Sequence, residues 1–286
     1  MLFLVPHDPL NPRRPDPHFA AEAAAARDAG WQVGLVDHDA LGRPGGAVGA
    51  AARVPAGGPA RYRGWMLSAD RYADFADALA HRDVTLVTGA AEYRRAHELP
   101  GWYGTLAGAT PESYWTVGAE RDDVLRTADR LGSGPAVLRD YTKSMKHHWH
   151  EAAYLPDVAD HAGVWRVARR FLELRGDDFT GGLVVRRFER FAGREVRTWW
   201  RHGRCVLVGP HPDTDDGTPL PEPDGAALTG LADLVGGTGL DFVTVDLVRR
   251  DDGRWRVVEL GDGQVSDRPA SISPARFLAA VTGAGC

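Results

Sequence analysis

Apolar and polar positions near the start of the chain follow the periods of strands and helices in turn. Residues 1–5 form an apolar run, residues 19–30 carry an alanine-rich helical pattern that ends in glycine, and residues 31–36 form a second apolar run. A strand, a helix and a strand in this order predict a parallel sheet with helices packed against it.

The same alternation continues to about residue 105. The segment 41–59 is rich in glycine, alanine and proline and predicts a surface loop, whereas Ser68 is a predicted N-cap of a helix with one apolar face. Strands are expected over residues 62–67 and 84–87, and a helix over residues 90–99. Residues 1–105 are therefore predicted to form a small Rossmann-like α/β domain. No GxGxxG sequence follows its first strand, so a dinucleotide site is not expected there.

Beyond Pro111 the pattern is richer in strands. The sequence DDG at residues 251–253 is a strong turn signal and predicts a hairpin between the last two strands. Strands are predicted over residues 113–117, 135–141, 183–185, 195–201, 204–208, 242–249 and 255–260, and helices over 121–131, 164–175 and 226–235.

Composition describes a globular protein that binds neither nucleic acid nor membranes by general charge. The chain has 286 residues, of which 43% are hydrophobic and 26% charged, with a net charge of -5. Two cysteines cannot form a disulfide framework, and no apolar segment is long enough to span a membrane. The first residues lack the basic leader of a signal peptide. We expect a cytoplasmic protein.

The lysines are confined to one short stretch. Lysine and arginine together number 34, yet only Lys143 and Lys146 are lysines, both within LRDYTKSMKHHWHE at residues 138–151. A coding bias towards arginine explains the scarcity of lysine but not this clustering. Lysine is a compact, flexible point charge that suits phosphate, so the pair predicts an anion-binding loop.

Two acidic residues of the predicted hairpin are candidate metal ligands. Asp246 and Glu259 stand on neighbouring strands among apolar residues, where facing carboxylates repel each other unless a cation lies between them. Oxygen ligands of this kind suit Mg²⁺, which usually takes one or two carboxylates together with phosphate oxygens. Pairing with Arg249 or Arg254 is the alternative interpretation.

The ordered set of these segments resembles the ATP-grasp superfamily, and within it a clade distinguished by an arginine and two lysines. The resemblance covers residues from about 110 to 268 and rests on the segments VLRDYTKSMKHHWHEAAYLPD, GGLVVRRFERF, GREVRTWW, FVTVDLV and WRVVELGDGQVSD. It implies an α+β fold in which two lobes, residues 106–185 and 186–286, clamp ATP after the Rossmann-like domain.

The resemblance also implies roles for individual residues. Arg139 stands where many members place a phosphate-binding lysine, and Lys143 and Lys146 match the lysine pair of the clade. Arg197 and Lys146 are the candidate catalytic residues, with Arg197 offsetting charge on the transferring phosphoryl group. The remaining implied nucleotide contacts are Arg186, the backbone groups of Arg187, Phe188 and Glu189, and Glu195.

The metal set is less complete than in most of the superfamily. Asp246 and Glu259 match the magnesium carboxylates, but Gly261 stands where most members have an asparagine two positions after the glutamate. Asp262 is the candidate third ligand.

The implied activity is an ATP- and Mg²⁺-dependent ligase that activates a carboxylate as an acyl phosphate and joins it to an amine. Its partners would be small-molecule or peptide carboxylates and amines, bound near His7, Asp8 and the loop over residues 210–224. A small-molecule kinase of the same fold and a nucleotide-binding regulator without turnover are the alternatives.

Overall fold

The computed structural model describes residues 1–212, 221 and 223–283, and it is a mixed α+β structure, as the sequence predicts. The strands are β1 Leu2–Asp8, β2 Asn11–Pro15, β3 Gln32–Val36, β4 Gly58–Tyr62, β5 Val84–Leu86, β6 Ser113–Trp115, β7 Ala136–Asp140, β8 Tyr154–Leu155, β9 Leu183–Arg187, β10 Phe191–Arg201, β11 Arg204–Pro210, β12 Phe242–Arg250 and β13 Trp255–Asp262. The helices are α1 Ala20–Asp28, α2 His38–Leu41, α3 Ala47–Ala51, α4 Ala69–Ala80, α5 Ala90–His97, α6 Leu99–Leu106, α7 Arg121–Asp129, α8 His161–Arg175, α9 Gly225–Gly237 and α10 Pro274–Thr282.

The chain divides into two compact units, each built from separate stretches of sequence. The first consists of Met1–Ala96, Arg194–Leu247 and Glu259–Cys286, and the second of His97–Gly193 and Val248–Val258. The division into residues 1–105, 106–185 and 186–286 uses other boundaries and remains a prediction.

The first unit begins with the predicted parallel sheet. Strands β3 and β4 pair in parallel with the two sides of β1, and β5 pairs in parallel with β4. Helix α4 begins after Ser68, whose hydroxyl accepts a hydrogen bond from the Arg71 N–H at 3.3 Å, as the N-cap prediction requires. Its side chains Tyr72, Phe75 and Leu79 are buried against this sheet.

A second sheet of this unit has the strand order β11-β10-β12-β13 and carries most of the predicted acidic residues. Helix α10 covers it, because Phe277 packs in one cluster with Trp199 and Phe242. The same helix also reaches the first sheet, where Leu278 is buried in a cluster with Phe3 and other residues of β1 and α1. The last described helix therefore completes the core of the first sheet.

The second unit is built on an antiparallel sheet of order β6-β9-β7-β8. Helices α7 and α8 cover one face, where Leu138 and Val185 are buried in the core cluster. In the register, Val137 lies opposite Arg186 and Arg139 lies opposite Val184. Since directly opposed residues share a face, Arg139 and Arg186 both lie on the face turned away from these helices.

The prediction of a surface loop over residues 41–59 is wrong. The segment contains α3, whose Ala50 and Ala51 are buried in the core, and it ends in β4. The strand predicted over residues 62–67 is also wrong, because β4 ends at Tyr62 and no strand follows it before α4. Pro59 lies inside β4. Because proline has no N–H group to donate to a neighbouring strand, the sequence pattern did not predict a strand at this position. Strand β2 and helices α6 and α10 were not predicted.

Within the described part of the chain, no helix combines the length and apolarity that crossing a membrane requires.

Candidate functional site

The two lysines follow β7 on a short loop of the second unit. The side chains of Lys143 and Lys146 are exposed, and Lys146 opens a short 3-10 turn, Lys146–His148. The main chain beneath Lys143 is fixed, because its N–H donates to Oδ1 of Asp140 at 2.6 Å and its carbonyl accepts from the Asp140 N–H at 3.0 Å. Flexible ammonium groups thus extend from an ordered stem, as an anion-binding loop requires.

The predicted nucleotide contacts Arg139 and Arg186 are buried and donate to main-chain carbonyls. Arg139 donates from Nε to the carbonyl of Asp140 at 3.2 Å and from Nη2 to that of Thr142 at 2.8 Å. Arg186 donates from Nη1 to the carbonyl of Val258 at 2.7 Å and from Nη2 to that of Val257 at 3.1 Å. These contacts stabilise the loop and the hairpin, and contact of either arginine with the nucleotide remains a prediction.

The segment predicted to meet adenine leaves β9 with its peptide groups partly engaged. The N–H of Arg187 donates to the carbonyl of Glu112 at 2.7 Å, and that of Phe188 donates to the carbonyl of Pro135 at 3.0 Å. The carboxylate of Glu189 accepts two hydrogen bonds of 2.8 Å from Arg256. Adenine recognition at these residues therefore depends on other backbone groups of the segment, and it remains a prediction.

An aromatic group that the sequence analysis did not identify lies beside this segment. The Tyr154 ring stacks on Trp149 with centroids 5.5 Å apart and meets Phe188 edge-on at 5.4 Å. Tyr154 lies opposite Val137 in the register, so it shares a face with Arg186. Only the pairing of β8, a strand of two residues, brings these rings together, and so short a strand gave no periodic signal.

In the first unit, three acidic residues surround Arg197 on one face of the β11-β10-β12-β13 sheet. Arg197 donates from Nε and Nη2 to the two carboxylate oxygens of Asp246, each at 2.8 Å. Glu195 and Glu259 lie close enough to act on its charge. His211 Nε2 approaches Asp246 Oδ2 at 3.6 Å. Asp246 does pair with an arginine, but with Arg197 rather than with Arg249 or Arg254.

The carboxylates of this group favour the charged form of Arg197. Burial alone would lower the pKa of Arg197, but the nearby carboxylates outweigh this effect and raise the pKa above its ordinary value. The cost of burying the Asp246 side chain is likewise offset by Arg197, which pairs with both of its carboxylate oxygens. The group therefore holds three acidic side chains and one cation next to each other.

These residues fit a magnesium ion only if other oxygen ligands complete its shell. In the part of the chain that the structure describes, no three acidic, histidine or cysteine side chains converge in metal-binding geometry. Mg²⁺ usually keeps several waters and binds through one or two carboxylates together with phosphates. Asp246 and Glu259 could supply that number, with the other ligands coming from nucleotide and water.

Asp262, the candidate third ligand, belongs to a different cluster of the first unit. Its Oδ1 accepts a hydrogen bond from the backbone N–H of Gln264, and its Oδ2 accepts one from the side-chain Nε2 of Gln264, both at 2.9 Å. The Gln264 Nε2 also donates to the hydroxyl of Tyr72 at 2.9 Å. These contacts account for Asp262 as a residue that stabilises the end of β13, while its metal role remains a prediction.

A cavity of about 360 Å³ lies in the first unit where β1 and β3 end. Its lining is charged with both signs and includes His7, whose Nε2 lies 3.7 Å from Oδ2 of Asp37, as well as Arg43 and Arg53. Asp8 does not line it. The loop over residues 210–224 lies mostly outside the described residues. The prediction that His7 and this loop contact substrate remains open.

Asp140 is a further residue that the sequence analysis did not identify. Its side chain is fully buried and organises the loop that carries the lysines. The sequence gave a partial indication, because an aspartate side chain often accepts hydrogen bonds from the backbone N–H groups that follow it, in an Asx-turn. Here those N–H groups belong to Thr142 and Lys143. Its partner Arg175 lies 35 residues further on and gave no signal.

The fold agrees with that of solved ATP-grasp proteins. A RimK domain ATP-grasp protein from Sphaerobacter thermophilus DSM 20745 is 21% identical, with a TM-score of 0.63 and 98% of each chain covered. The D-cycloserine synthetase DcsG is 17% identical, with a TM-score of 0.63 and 99% of each chain covered. The ATP-grasp ligase PsnB, solved with a minimal precursor, Mg and ADP, is 12% identical, with a TM-score of 0.55 over 98% of this chain and 97% of PsnB. These similarities show the fold.

The family is given by a sequence model. Residues 130–281, more than half of the chain, match the third ATP-grasp domain family of the clade named for one arginine and two lysines, and the chain belongs to this family. The protein is therefore an ATP-grasp protein of this clade. No curated protein matches the sequence.

Proposed function

We propose that this protein uses ATP and Mg²⁺ to convert a carboxylate into an acyl phosphate and then joins the acyl group to an amine. The observation that carries the proposal is the group of Glu195, Arg197, Asp246 and Glu259 on one sheet face, because it pairs a cation with carboxylates suited to a divalent metal. Membership of the ATP-grasp family supports the same reaction.

The reaction has two steps. An oxygen of the substrate carboxylate attacks the γ-phosphorus of ATP, and the bond to ADP breaks. The amine nitrogen then attacks the acyl carbon, inorganic phosphate leaves with the bonding electrons, and the surplus proton of the nitrogen passes to solvent. Phosphorylation supplies the leaving group, so the protein has mainly to orient the substrates and offset charge.

Each group of side chains has one task in this scheme. Lys143 and Lys146 bind the phosphates of ATP from their exposed loop, and Arg197 offsets charge on the transferring phosphoryl group. Asp246 and Glu259 would hold Mg²⁺, and the ion would supply further neutralisation of charge on the phosphate. Arg197 also orients Asp246, since both carboxylate oxygens accept its hydrogen bonds.

The similar proteins guide the choice of substrates to be tested. One is named for the synthesis of D-cycloserine and another was solved with a minimal precursor. A pool of amino acids and short peptides therefore represents both small-molecule and peptide acceptors. The cavity beside His7, which is lined by charges of both signs, also suits substrates that carry an ammonium and a carboxylate group.

The reaction is tested by product analysis. We expect incubation with ATP, Mg²⁺ and the pool to release ADP and inorganic phosphate in equal amounts, with a new amide whose mass equals the two substrates less one water. A phosphorylated product without free phosphate would instead identify a kinase. Unchanged ATP with every pool would favour a nucleotide-binding regulator.

Variants test the assignment of the site. Lys143→Ala and Glu259→Gln should each lower turnover roughly a hundredfold or more, because each removes charge that stabilises the transferring phosphoryl group. Arg254→Ala is the matched control, since this side chain is exposed at the turn of the same hairpin. Full turnover in either of the first two variants would show that the site is assigned wrongly.

A further inference from the structure

The loop that carries Lys143 closes around one carboxylate. Oδ1 of the fully buried Asp140 accepts from the N–H of Thr142 at 2.8 Å, from its hydroxyl at 3.0 Å and from the N–H of Lys143 at 2.6 Å. A single oxygen thus fixes two consecutive peptide groups of the loop.

The second oxygen of this carboxylate is held by a helix from another part of the second unit. Oδ2 accepts from Nε of Arg175, the last residue of α8, at 2.9 Å. Arg175 in turn donates from Nη2 to the carbonyl of Asp178 at 2.5 Å, and its side chain is 15% exposed. Arg139 holds the other side of the loop through the carbonyls of Asp140 and Thr142.

This arrangement has a physical reason beyond packing. Burial of an ionised carboxylate is costly unless its oxygens are satisfied by charged or well-aligned donors, and here both oxygens are satisfied. The resulting loop has an ordered main chain, whereas the Lys143 side chain above it is exposed and flexible. The position of the ammonium group is therefore limited by where Asp140 anchors the Lys143 peptide.

We propose that Asp140, held by Arg175, is a positioning residue that fixes the main chain beneath Lys143 so that its ammonium group can reach the phosphates of ATP. The inference rests on the proposed function for the role of Lys143, but the anchoring itself is independent of it. Neither residue needs to contact ATP.

The test uses two variants of the full chain. Arg175→Ala removes the donor to Oδ2 without placing a new group in the core, and Asp140→Asn keeps the side-chain shape while removing its charge. We expect both to increase amide hydrogen exchange at Thr142 and Lys143 and to weaken binding of ATP with Mg²⁺ roughly five- to thirtyfold. Arg175→Lys, which keeps a cationic donor, should restore much of the affinity.

Two further variants make the outcome unambiguous. Arg169→Ala lies on the same helix with an exposed side chain and should leave both exchange and ATP affinity unchanged. Lys143→Ala should weaken ATP binding without increasing exchange at Thr142. If it does not weaken binding, the role proposed for Lys143 fails, while the exchange data still decide whether Asp140 anchors the loop.

The result that would overturn the inference is equally specific. Suppose that Lys143→Ala weakens ATP binding, but that folded Arg175→Ala and Asp140→Asn bind ATP with wild-type affinity. This result would show that anchoring of the loop does not contribute to ATP binding. Unchanged exchange at Thr142 and Lys143 would show that the carboxylate does not order the loop.

Discussion

Buried charged residues of this protein differ in what they contact, and the contact decides their role. Arg197 faces carboxylates, whereas Arg139 and Arg186 face main-chain carbonyls. A guanidinium that donates to carbonyls organises backbone, while one among carboxylates can take part in phosphoryl-transfer chemistry. The two kinds cannot be told apart from residue type alone.

Asp262 gives a prediction at this scale. Burial raises its pKa from the ordinary 3.8 to about 7, against the hydrogen bonds from Gln264 that favour the ionised form. Between about pH 4 and pH 7 the unfolded chain therefore binds fewer protons than the folded protein, so the free energy of unfolding decreases as the pH rises through this window. Below and above it, the group adds no pH dependence.

Asp262→Asn should remove this pH dependence, because an amide does not titrate. Urea unfolding at pH 5 and pH 7 measures it, and we expect wild type to lose about 1–2 kcal/mol more than the variant between these values. Asp233→Asn, at an exposed position of α9, is the control and should behave as wild type. Equal losses in wild type and Asp262→Asn would contradict the prediction.

At the scale of elements, strand β9 is tied to the hairpin of β12 and β13 by one side chain. Besides the carbonyls of Val257 and Val258, Arg186 donates to the hydroxyl of Thr110, which itself donates to the Val257 carbonyl at 2.8 Å. The three contacts lie within the second unit, and the residues Arg186 and Thr110 are buried. Arg186 thus links three segments that are distant in sequence.

Arg186→Met should therefore destabilise the protein. The variant keeps apolar bulk but removes the hydrogen bonds that join the three segments, and we expect the free energy of unfolding to fall by about 2–4 kcal/mol. Chemical denaturation without nucleotide is the measurement. Arg187→Met is the control, because Arg187 also donates to carbonyls but its side chain is 28% exposed, and it should cost less. If the stability of Arg186→Met is unchanged, the prediction is wrong, and Arg186 keeps only its predicted role in nucleotide binding.

The elements that the sequence predicted are those with local signals. The N-cap at Ser68 and the DDG turn after Arg250 depend on neighbouring residues, and both are confirmed. Strand β4 contains Pro59 and is specified by its pairing with β1 and β5, so the local pattern misled. The anchoring of Asp140 by Arg175 needs two residues that only the folded chain brings together.

At the scale of the whole molecule, the first unit is assembled from segments that lie far apart in the chain. Glu22 of α1 pairs with the fully buried Arg63 and, at 3.1 Å, with Arg268. The Arg63 guanidinium also lies 4.8 Å from the ring centroid of Phe277 on α10. Residues that follow position 260 therefore belong to the core of the first sheet.

A fragment of residues 1–105 should accordingly fail to fold cooperatively. It would lack Arg268, Phe277 and Leu278, so it would expose apolar surface and leave Glu22 without one of its two cationic partners. Circular dichroism and urea titration should show a shallow, non-cooperative transition, in contrast to the full chain. A sharp transition in the fragment would support an autonomous domain over residues 1–105.

The placement of α10 has a further consequence for biosynthesis. A ribosome releases the strands of the first sheet early, but the helix that completes their packing is translated only after all the strands of both units. Until that helix emerges, the nascent sheet retains uncovered apolar side chains, which chaperones recognise and which favour aggregation. Final folding of this sheet must wait until α10 has left the ribosome.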